Sequence, residues 1–264
     1  MGIINVTLDS FSDGGQFLDP AAAVAQARRL VGEGADIIDF GGESTRPGAK
    51  PVPADEQIRR VVPVITATRA FWAGPISIDT TRAEVAAAAF AAGANWVNDI
   101  SALRDDPEML PFVAQTNCML ILMHMQGTPR SMQINPAYGD VVAEVAGFLT
   151  ERAHVAEAGG VARERIIVDP GIGFGKTFEH NLELLRGLTR IVALGYPVLV
   201  GASRKSFIGR ITGAPPEDRL EGSLVAAVRV VEAGAKIVRV HDVAPTRRAL
   251  AVAAALSPSE VPPR

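Results

Sequence analysis

The chain has 264 residues, 48% of them hydrophobic, and a formal net charge of −3 with acids and bases interspersed. That length suits one large core of the α/β-barrel kind, and the charge pattern excludes a nucleic-acid or membrane-surface footprint. Cys118 is the only cysteine, so no internal disulfide is available. Its apolar setting reads as a core hydrophobe in a reducing, cytoplasmic compartment. No uncharged apolar run approaches the roughly 20 residues that span a bilayer, and the first residues lack the basic start of a signal peptide.

Residues 1–6 read as a strand, followed by a polar, Gly-rich loop over 7–17. An Ala-rich helix is expected over 20–33, with Asp19 as its cap and Pro20 at its first position. The second strand, 36–40, leads into a loop over 41–53 and a helix over 54–70. Strand 75–79 precedes helix 82–92, and strand 96–98 precedes a helix near 105–115. Strand 118–123 is followed by a loop, 124–137, and a helix over 139–158. Strand 165–168 ends at the glycine-laced stretch DPGIGFGK, 169–176, and a helix follows over 178–188. Strand 197–200, loop 201–216 and helix 217–233 form the next unit. Strand 236–240 and a closing helix, 244–255, complete the series. Gly-Ala pairs at 34–35, 93–94 and 234–235 read as helix caps that turn into the following strands. Eight strand–helix units without a linker predict a single parallel (β/α)8 TIM barrel over 1–256, with 257–264 as a frayed, Pro-rich tail.

In such a barrel the active site lies at the C-terminal ends of the strands. Those positions hold Asn5; Glu43, Thr45 and Arg46; Asp79; Asn98 and Asp99; His124; Asp169; Arg204 and Lys205; and Arg239, His241 and Asp242. Burying that many polar groups costs free energy unless they are paired or bound, so the set as a whole points to a site. Asn5, Arg46, Arg239 and His241 offer cationic and amide donors suited to a phosphate or diphosphate, and Asn5 can also ligate Mg²⁺. An ion pair between Arg46 and Glu43 competes with that role. Asp79, Asn98, Asp169 and Lys205 offer acceptors and one cation, matching a planar heterocycle with adjacent N–H groups and a carbonyl. A plain Asp169–Lys205 salt bridge competes there. No nucleophile and no metal-binding histidine pair is evident, so the site reads as one that positions reactants and stabilises charge.

These residues also carry a family resemblance. MGIINVTLDSFSDGG (1–15), GESTRPG (42–48), SIDT (77–80), NDIS (98–101), MHM (123–125), DPGIGFGK (169–176), SRKS (203–206) and RVHDV (239–243) resemble dihydropteroate synthase, of folate biosynthesis, over essentially the whole chain. The resemblance implies a transferase that condenses 6-hydroxymethyl-7,8-dihydropterin diphosphate with p-aminobenzoate. It implies pterin contacts from Asp79, Asn98, Asp169 and Lys205, with Met123 and Phe174 as walls and Arg239 stacked on the ring. It implies diphosphate contacts from Asn5, Thr45, Arg46, Arg239 and His241, with Mg²⁺ at Asn5. The aminobenzoate is expected against Thr45, Pro47, Phe174, Lys205 and Ser206, and Asp79, Lys205, Arg239 and Asn5 are the expected catalytic residues. Sulfonamide sensitivity, lids over 7–17 and 44–53, and a homodimer formed through the outer helices are implied as well.

The sequence departs from the family pattern in places. Leu8 stands where proline is usual, which loosens the first lid, and Thr81-Arg82 replaces the usual Tyr-Lys. The chain begins at the first strand, without the family's short upstream segment. Two other functions compete: a pterin-dependent methyltransferase domain working with a corrinoid protein, and a non-catalytic pterin-binding paralogue. The SRKS and RVH stretches weigh against the methyltransferase, whose chemistry has no diphosphate to hold; the paralogue is supported only by Leu8, and the retention of Asn5, Arg46, Asp79, Lys205 and His241 weighs against it.

Overall fold

A parallel strand buried on both faces sends alternate side chains to two different cores, and that alternation organises this chain. The computed structural model describes residues 1–6, 20–44 and 48–256. Loop 7–17, Leu8, Asp19, Thr45, Arg46, Pro47 and tail 257–264 therefore lie outside the described residues. The elements run β1 (Gly2–Asn5), α1 (Pro20–Gly32), β2 (Ile38–Gly41), α2 (Ala54–Arg69), β3 (Ile76–Asp79), α3 (Ala83–Ala91), β4 (Trp96–Asp99) and α4 (Met109–Gln115). They continue with β5 (Met119–Met123), α5 (Val141–Ala158), β6 (Ile166–Asp169), α6 (Phe178–Arg186), α7 (Leu188–Val192), β7 (Leu199–Val200), α8 (Ser206–Thr212), α9 (Leu220–Glu232), β8 (Ile237–Val238) and α10 (Val243–Leu256).

Strands β1 to β6 pair in sequence order, all parallel, and β7 pairs with β8. Single bridges join Val168 to Val198 and Gly2 to Val240, closing the ring into a (β/α)8 barrel. Outward-facing Ile4, Ile38, Phe40, Ile78, Val97, Leu122 and Val168 pack under the helices in the main core. Inward-facing Met1, Ile37, Ile121, Ile167 and Leu199, with Trp96, Met119 and Ile237 against them, form a separate apolar plug inside the barrel. The polar strand-end residues Asp79, Asn98 and Asp169 sit one inward-facing step above Ser77, Trp96 and Ile167.

The three Gly-Ala pairs cap their helices in one way. Gly34, Gly93 and Gly234 take φ of 89°, 114° and 105°, values that β-carbon sterics discourage. The following Ala35, Ala94 and Ala235 amides donate back to Leu30, Ala89 and Val230 at 2.9 Å, the six-to-one bond of a Schellman cap. α5 starts at Asp140, whose carboxylate accepts from the Ala143 amide at 2.9 Å.

Three expected boundaries change. The helix near 105–115 starts only at Met109, because Asp99 ties the Ser101 and Leu103 amides into a turn in which Ala102 and Leu103 have positive φ. The helix expected over 178–188 breaks at Gly187 into α6 and α7. Loop 201–216 contains α8, and that helix places Ser206 at its first turn. Among the described residues no helix is long and apolar enough to cross a membrane.

Candidate active site

The strand ends open into a cleft whose floor and walls come from seven strands, all but β2. Asp79, Asn98, Met123, Asp169, Phe174, Lys205, Arg239 and His241 line it, together with Ile3, Ile100, Gly171, Ile172, Gly201 and Ser203. In-register pairing sets Asp79 beside Asn98 and Met123 beside Asp169. The structure thus gathers the eight predicted residues from β3 to the end of β8.

Other strand-end residues turn away from the cleft. Glu43 accepts from the Val52 amide at 2.9 Å and from Gln57 at 3.0 Å, and Asp99 caps its turn. Arg204, at φ 57°, forms a two-point ion pair with Asp242 at 3.0 and 2.6 Å. Its amide donates to Ser223 and its carbonyl accepts from Arg219, so the Ser203–Ser206 turn is held from behind. His124 is 6% exposed and faces Lys176 rather than substrate space. Those five, Glu43, Asp99, His124, Arg204 and Asp242, are the correction to the expectation that every strand end converges. Asn5 is half-buried at the end of β1 beside Gly41 and Asp79, and Ser206 is exposed on the rim.

Arg239 dominates the floor. Its Nε donates to Asp39 Oδ2 at 2.6 Å, and its Nη2 reaches Asp39 Oδ2 at 2.6 Å and Asp79 Oδ2 at 2.9 Å. Burial opposes its charge, yet Asp39 and Asp79 outweigh burial and hold its pKa above the ordinary arginine value. Burial pushes the Asp79 carboxyl up to about 7; Arg239 opposes the rise, and Asp39, Asp99 and Asp169 add to it. Burial also raises Asp169, against the Gly171 amide and the neighbouring Lys205. Lys205 falls to about 8, chiefly through burial, although Asp169 pulls it upward. Its Nζ donates to the Ile172 carbonyl at 2.7 Å and lies 4.3 Å from the Phe174 ring centre, so the simple Asp169–Lys205 salt bridge is not formed. His241 was expected among the cationic donors. Burial, Arg239 and Arg204 hold it down at about 4, so the ring is neutral at pH 7, with Nδ1 3.1 Å from Ser203 Oγ.

One wall is apolar: Ile100, Met123, Met125 and Met132 cluster with Phe174 packed on them. Phe174 rides on loop 169–176, and that loop is pinned at several points. Asp169 Oδ1 accepts from the Gly171 amide at 2.8 Å, and Gln133 and Tyr138 donate to the Gly173 and Gly175 carbonyls at 2.8 and 2.7 Å. A β-carbon on Gly171 would sit 2.0 Å from the His124 carbonyl oxygen, which is why the stretch needs glycine there. Lys176 is the anchor. It is 3% exposed, with Nζ 2.9 Å from His124 Nδ1 and donating to the Phe174 carbonyl at 2.9 Å.

Comparison with known proteins follows the same lines. The family described as pterin binding enzyme matches residues 1–241. Dihydropteroate synthase of Synechocystis sp. is 50% identical over 257 residues, covering 97% of this chain and 89% of that protein. The solved Xanthomonas albilineans dihydropteroate synthase with 4-aminobenzoic acid superposes with a TM-score of 0.91 at 50% identity, covering 97% of this chain and 93% of that one. A second structure of the Xanthomonas albilineans enzyme, in complex with 7,8-dihydropteroate, gives 0.87 at 46% identity, covering 97% and 93%. The chain belongs to the dihydropteroate synthase family. That family is one of transferases, and membership accounts for a barrel whose polar groups gather in one cleft.

Two residues of this site escaped the sequence reading. Lys176 lay inside a quoted motif with no role given, and Asp39 lay inside a strand. The signal for Asp39 was parity: it shares the inward face of β2 with Gly41, one step below the layer of Asp79.

Burial lowers the Lys176 pKa from 10.5 to about 7, with Asp169 opposing that and Lys205 adding to it. Between those values the unfolded chain binds the proton more tightly, so this group favours folding more as pH rises from 7 towards 10.5 and imposes its full penalty below 7. Lys176→Met should therefore gain stability relative to the parent on going from pH 9 to pH 6. Melting temperatures of both proteins at the two pH values test this, and a difference independent of pH would refute it.

Proposed function

We propose that the protein condenses 6-hydroxymethyl-7,8-dihydropterin diphosphate with p-aminobenzoate, giving 7,8-dihydropteroate and pyrophosphate. The observation that carries this reading is the floor of the cleft. Asn98 Oδ1 is buried without a hydrogen-bond partner, beside Asp79 and near Asp169, two carboxyls whose ionisation burial resists. An orphaned buried acceptor costs roughly 1–3 kcal/mol, and a heterocycle rich in N–H donors relieves that cost. Asp79, Asn98, Asp169 and Lys205 hold the pterin edge, and Met123 and Phe174 clamp its faces, with Arg239 as the stacking cation. The related Xanthomonas albilineans structures with 4-aminobenzoic acid and with 7,8-dihydropteroate support both substrates.

Arg239, His241 and Asn5, with Thr45 and Arg46, are assigned to the diphosphate. Among the described residues Arg239 Nη1 has no hydrogen-bond partner, so that edge of the fork remains for an oxyanion. The same residues include no group of three or more His, Cys, Asp or Glu able to cage a metal. A lone amide oxygen at Asn5 still fits Mg²⁺, which takes most of its ligands from water and substrate phosphates. Held by Asn5, Mg²⁺ would neutralise charge on the departing pyrophosphate.

The chemistry then needs little from a base. The methylene–oxygen bond breaks, its electron pair leaves with pyrophosphate, and ionised Asp79 stabilises the positive charge left on the pterin. The aniline nitrogen, neutral at pH 7, forms the new C–N bond and loses a proton to solvent. Thr45, Pro47, Phe174, Lys205 and Ser206 position the aminobenzoate, and the excluded water cannot capture the cation.

The deciding assay is pyrophosphate release from the pterin diphosphate with Mg²⁺, with and without p-aminobenzoate. Release that depends on the aminobenzoate and yields dihydropteroate supports the reading. Tight pterin binding without release would support a non-catalytic paralogue. Asp169→Asn should weaken pterin diphosphate binding at least tenfold with the fold intact, and unchanged affinity in calorimetry would remove Asp169 from the pterin site. Because Asp79 must be ionised, kcat/KM for the pterin substrate should fall as pH drops through about 7. A profile flat from pH 8 to 5.5 would exclude ionised Asp79 from the rate-determining chemistry.

We also propose a homodimer. A groove of about 790 Å³ between α9 and α10 is lined by Leu220, Leu224, Val228 and Val252, with Leu256 at its end. Val252 and Leu256 are 59% and 80% exposed there, apolar surface that a second copy would cover. Val252→Glu should convert the dimer to a monomer in sedimentation, whereas an unmodified protein already monomeric at high concentration would end the proposal.

A further inference from the structure

Among the described residues Asp39 is a carboxylate on the inward face of β2 that stands beneath the cleft rather than in its lining. It is fully buried and takes no part in lining the cleft, whereas Asp79 and Arg239 both line it. Its register partners are Ile3 on β1 and Ser77 on β3, one step beneath the layer formed by Asn5, Gly41 and Asp79. Only one of its oxygens is used: Oδ2 receives both Nε and Nη2 of Arg239 at 2.6 Å. Asp39 Oδ1 and the neighbouring Ser77 Oγ are buried without a hydrogen-bond partner.

An apolar side chain would fill this position at lower cost, since the plug just below is aliphatic and aromatic. A carboxylate kept there with half its acceptors unused breaks a packing rule, and such breaks mark functional positions. What it achieves is visible in the geometry of Arg239. A guanidinium whose only carboxylate was Asp79 would take that group by two parallel bonds and close it off. Asp39 occupies Nε and one side of Nη2 from below, so Asp79 receives a single bond at 2.9 Å and keeps its other oxygen for the cleft.

We propose that Asp39 is a positioning residue that acts through Arg239: it fixes the guanidinium from beneath and leaves the Asp79 carboxylate to the bound heterocycle. The inference rests on the pterin reading given above. Without Asp39, Arg239 tilts towards Asp79, and the ring loses its acceptor while the fold is kept.

Calorimetric titration with 6-hydroxymethylpterin, which carries no diphosphate and requires no turnover, separates the possibilities. Four proteins are compared: the parent, Asp39→Asn, Arg239→Gln, and the double variant. Asp39→Asn should bind the ring roughly tenfold more weakly than the parent, in line with the sensitivity of sites to small misplacements. In the Arg239→Gln background the same change should have no effect on ring affinity, because the group it acts through is gone. The double variant should also melt at a higher temperature than Arg239→Gln, in which Asp39 is left as an unpaired buried charge. With turnover established, the KM for p-aminobenzoate should not change in Asp39→Asn while kcat falls. A parent that binds pterin and an Asp39→Asn protein that binds it equally well would overturn this inference alone. So would a loss of equal size in both backgrounds, which is the mark of a merely structural residue. If Asp39→Asn does not fold, equal ring affinity of Arg239→Gln and the double variant still supports the inference and unequal affinity overturns it. A parent that binds no pterin would overturn this inference together with the function it rests on.

Discussion

The interior of this barrel turns on one guanidinium held between two carboxylates. Arg239 comes from the last strand and crosses to Asp39 on the second and Asp79 on the third. Below it the barrel is filled with aliphatic and aromatic side chains, and above it lies the cleft. Charges at such depth persist only when paired with good geometry, and a pair short of partners remains costly. Here the pairing is deliberately incomplete. Asp39, Asp79 and Asp169 stand against Arg239 and Lys205, Asn98 offers an unused acceptor, and burial works against the charges of Asp79, Asp169, Lys205 and Arg239. A floor of that kind is completed by a ligand that brings hydrogen-bond donors.

Rigidity in the walls follows from a different device. Loop 169–176 owes its shape to glycines where a β-carbon would meet the backbone of 124–126, and to Lys176 reaching under Phe174 towards His124. Gln133 and Tyr138 add bonds from the neighbouring loop. Phe174 is thus carried by backbone bonds fixed at several points, and the methionine-rich patch beneath it supplies an adaptable surface. A firm frame with a soft lining suits a flat ring held on both faces. On the opposite side, Arg204 gives up any contact with substrate to hold the turn that aims Ser203 and Lys205 inward.

Most of this frame was legible in the sequence, for reasons that can be named. Eight β-branched runs separated by helical stretches, with Gly-Ala caps at three strand entries, carry enough local signal to predict the barrel. Strand-end position alone picked out Asp79, Asn98, Asp169, Lys205, Arg239 and His241. The misreadings share one cause. Glu43, Asp99 and His124 stand at strand ends too, yet their side chains satisfy nearby backbone or a buried lysine, and spacing along the chain does not record direction across a loop. Asp39 failed in the opposite sense, since a carboxylate inside a strand finds its reason only in an arginine 200 residues away. The charge state of His241 was likewise invisible, because it depends on burial and on Arg239 and Arg204 converging from other parts of the chain.

That neutral histidine bears on how the cleft treats anions. A cationic ring at the mouth would attract any phosphate, including free phosphate and the pyrophosphate of the proposed reaction. A neutral His241 beside Ser203 can donate one hydrogen bond without adding charge, and Arg239 is already largely neutralised by its two carboxylates. The described part of the site therefore offers a diphosphate directional bonds rather than a strong field, while the floor beneath it is rich in acceptors. Discrimination then falls to the ring: an anion without a donor-bearing heterocycle satisfies none of Asn98, Asp79 or Asp169 and meets their negative charge instead. In the reaction proposed above, a substrate joining both parts would gain at the floor what the mouth withholds, and a departing pyrophosphate, once severed from the ring, would lose that gain. Binding and release thus follow from the same division of charge across the barrel, and Arg239 sits at its boundary.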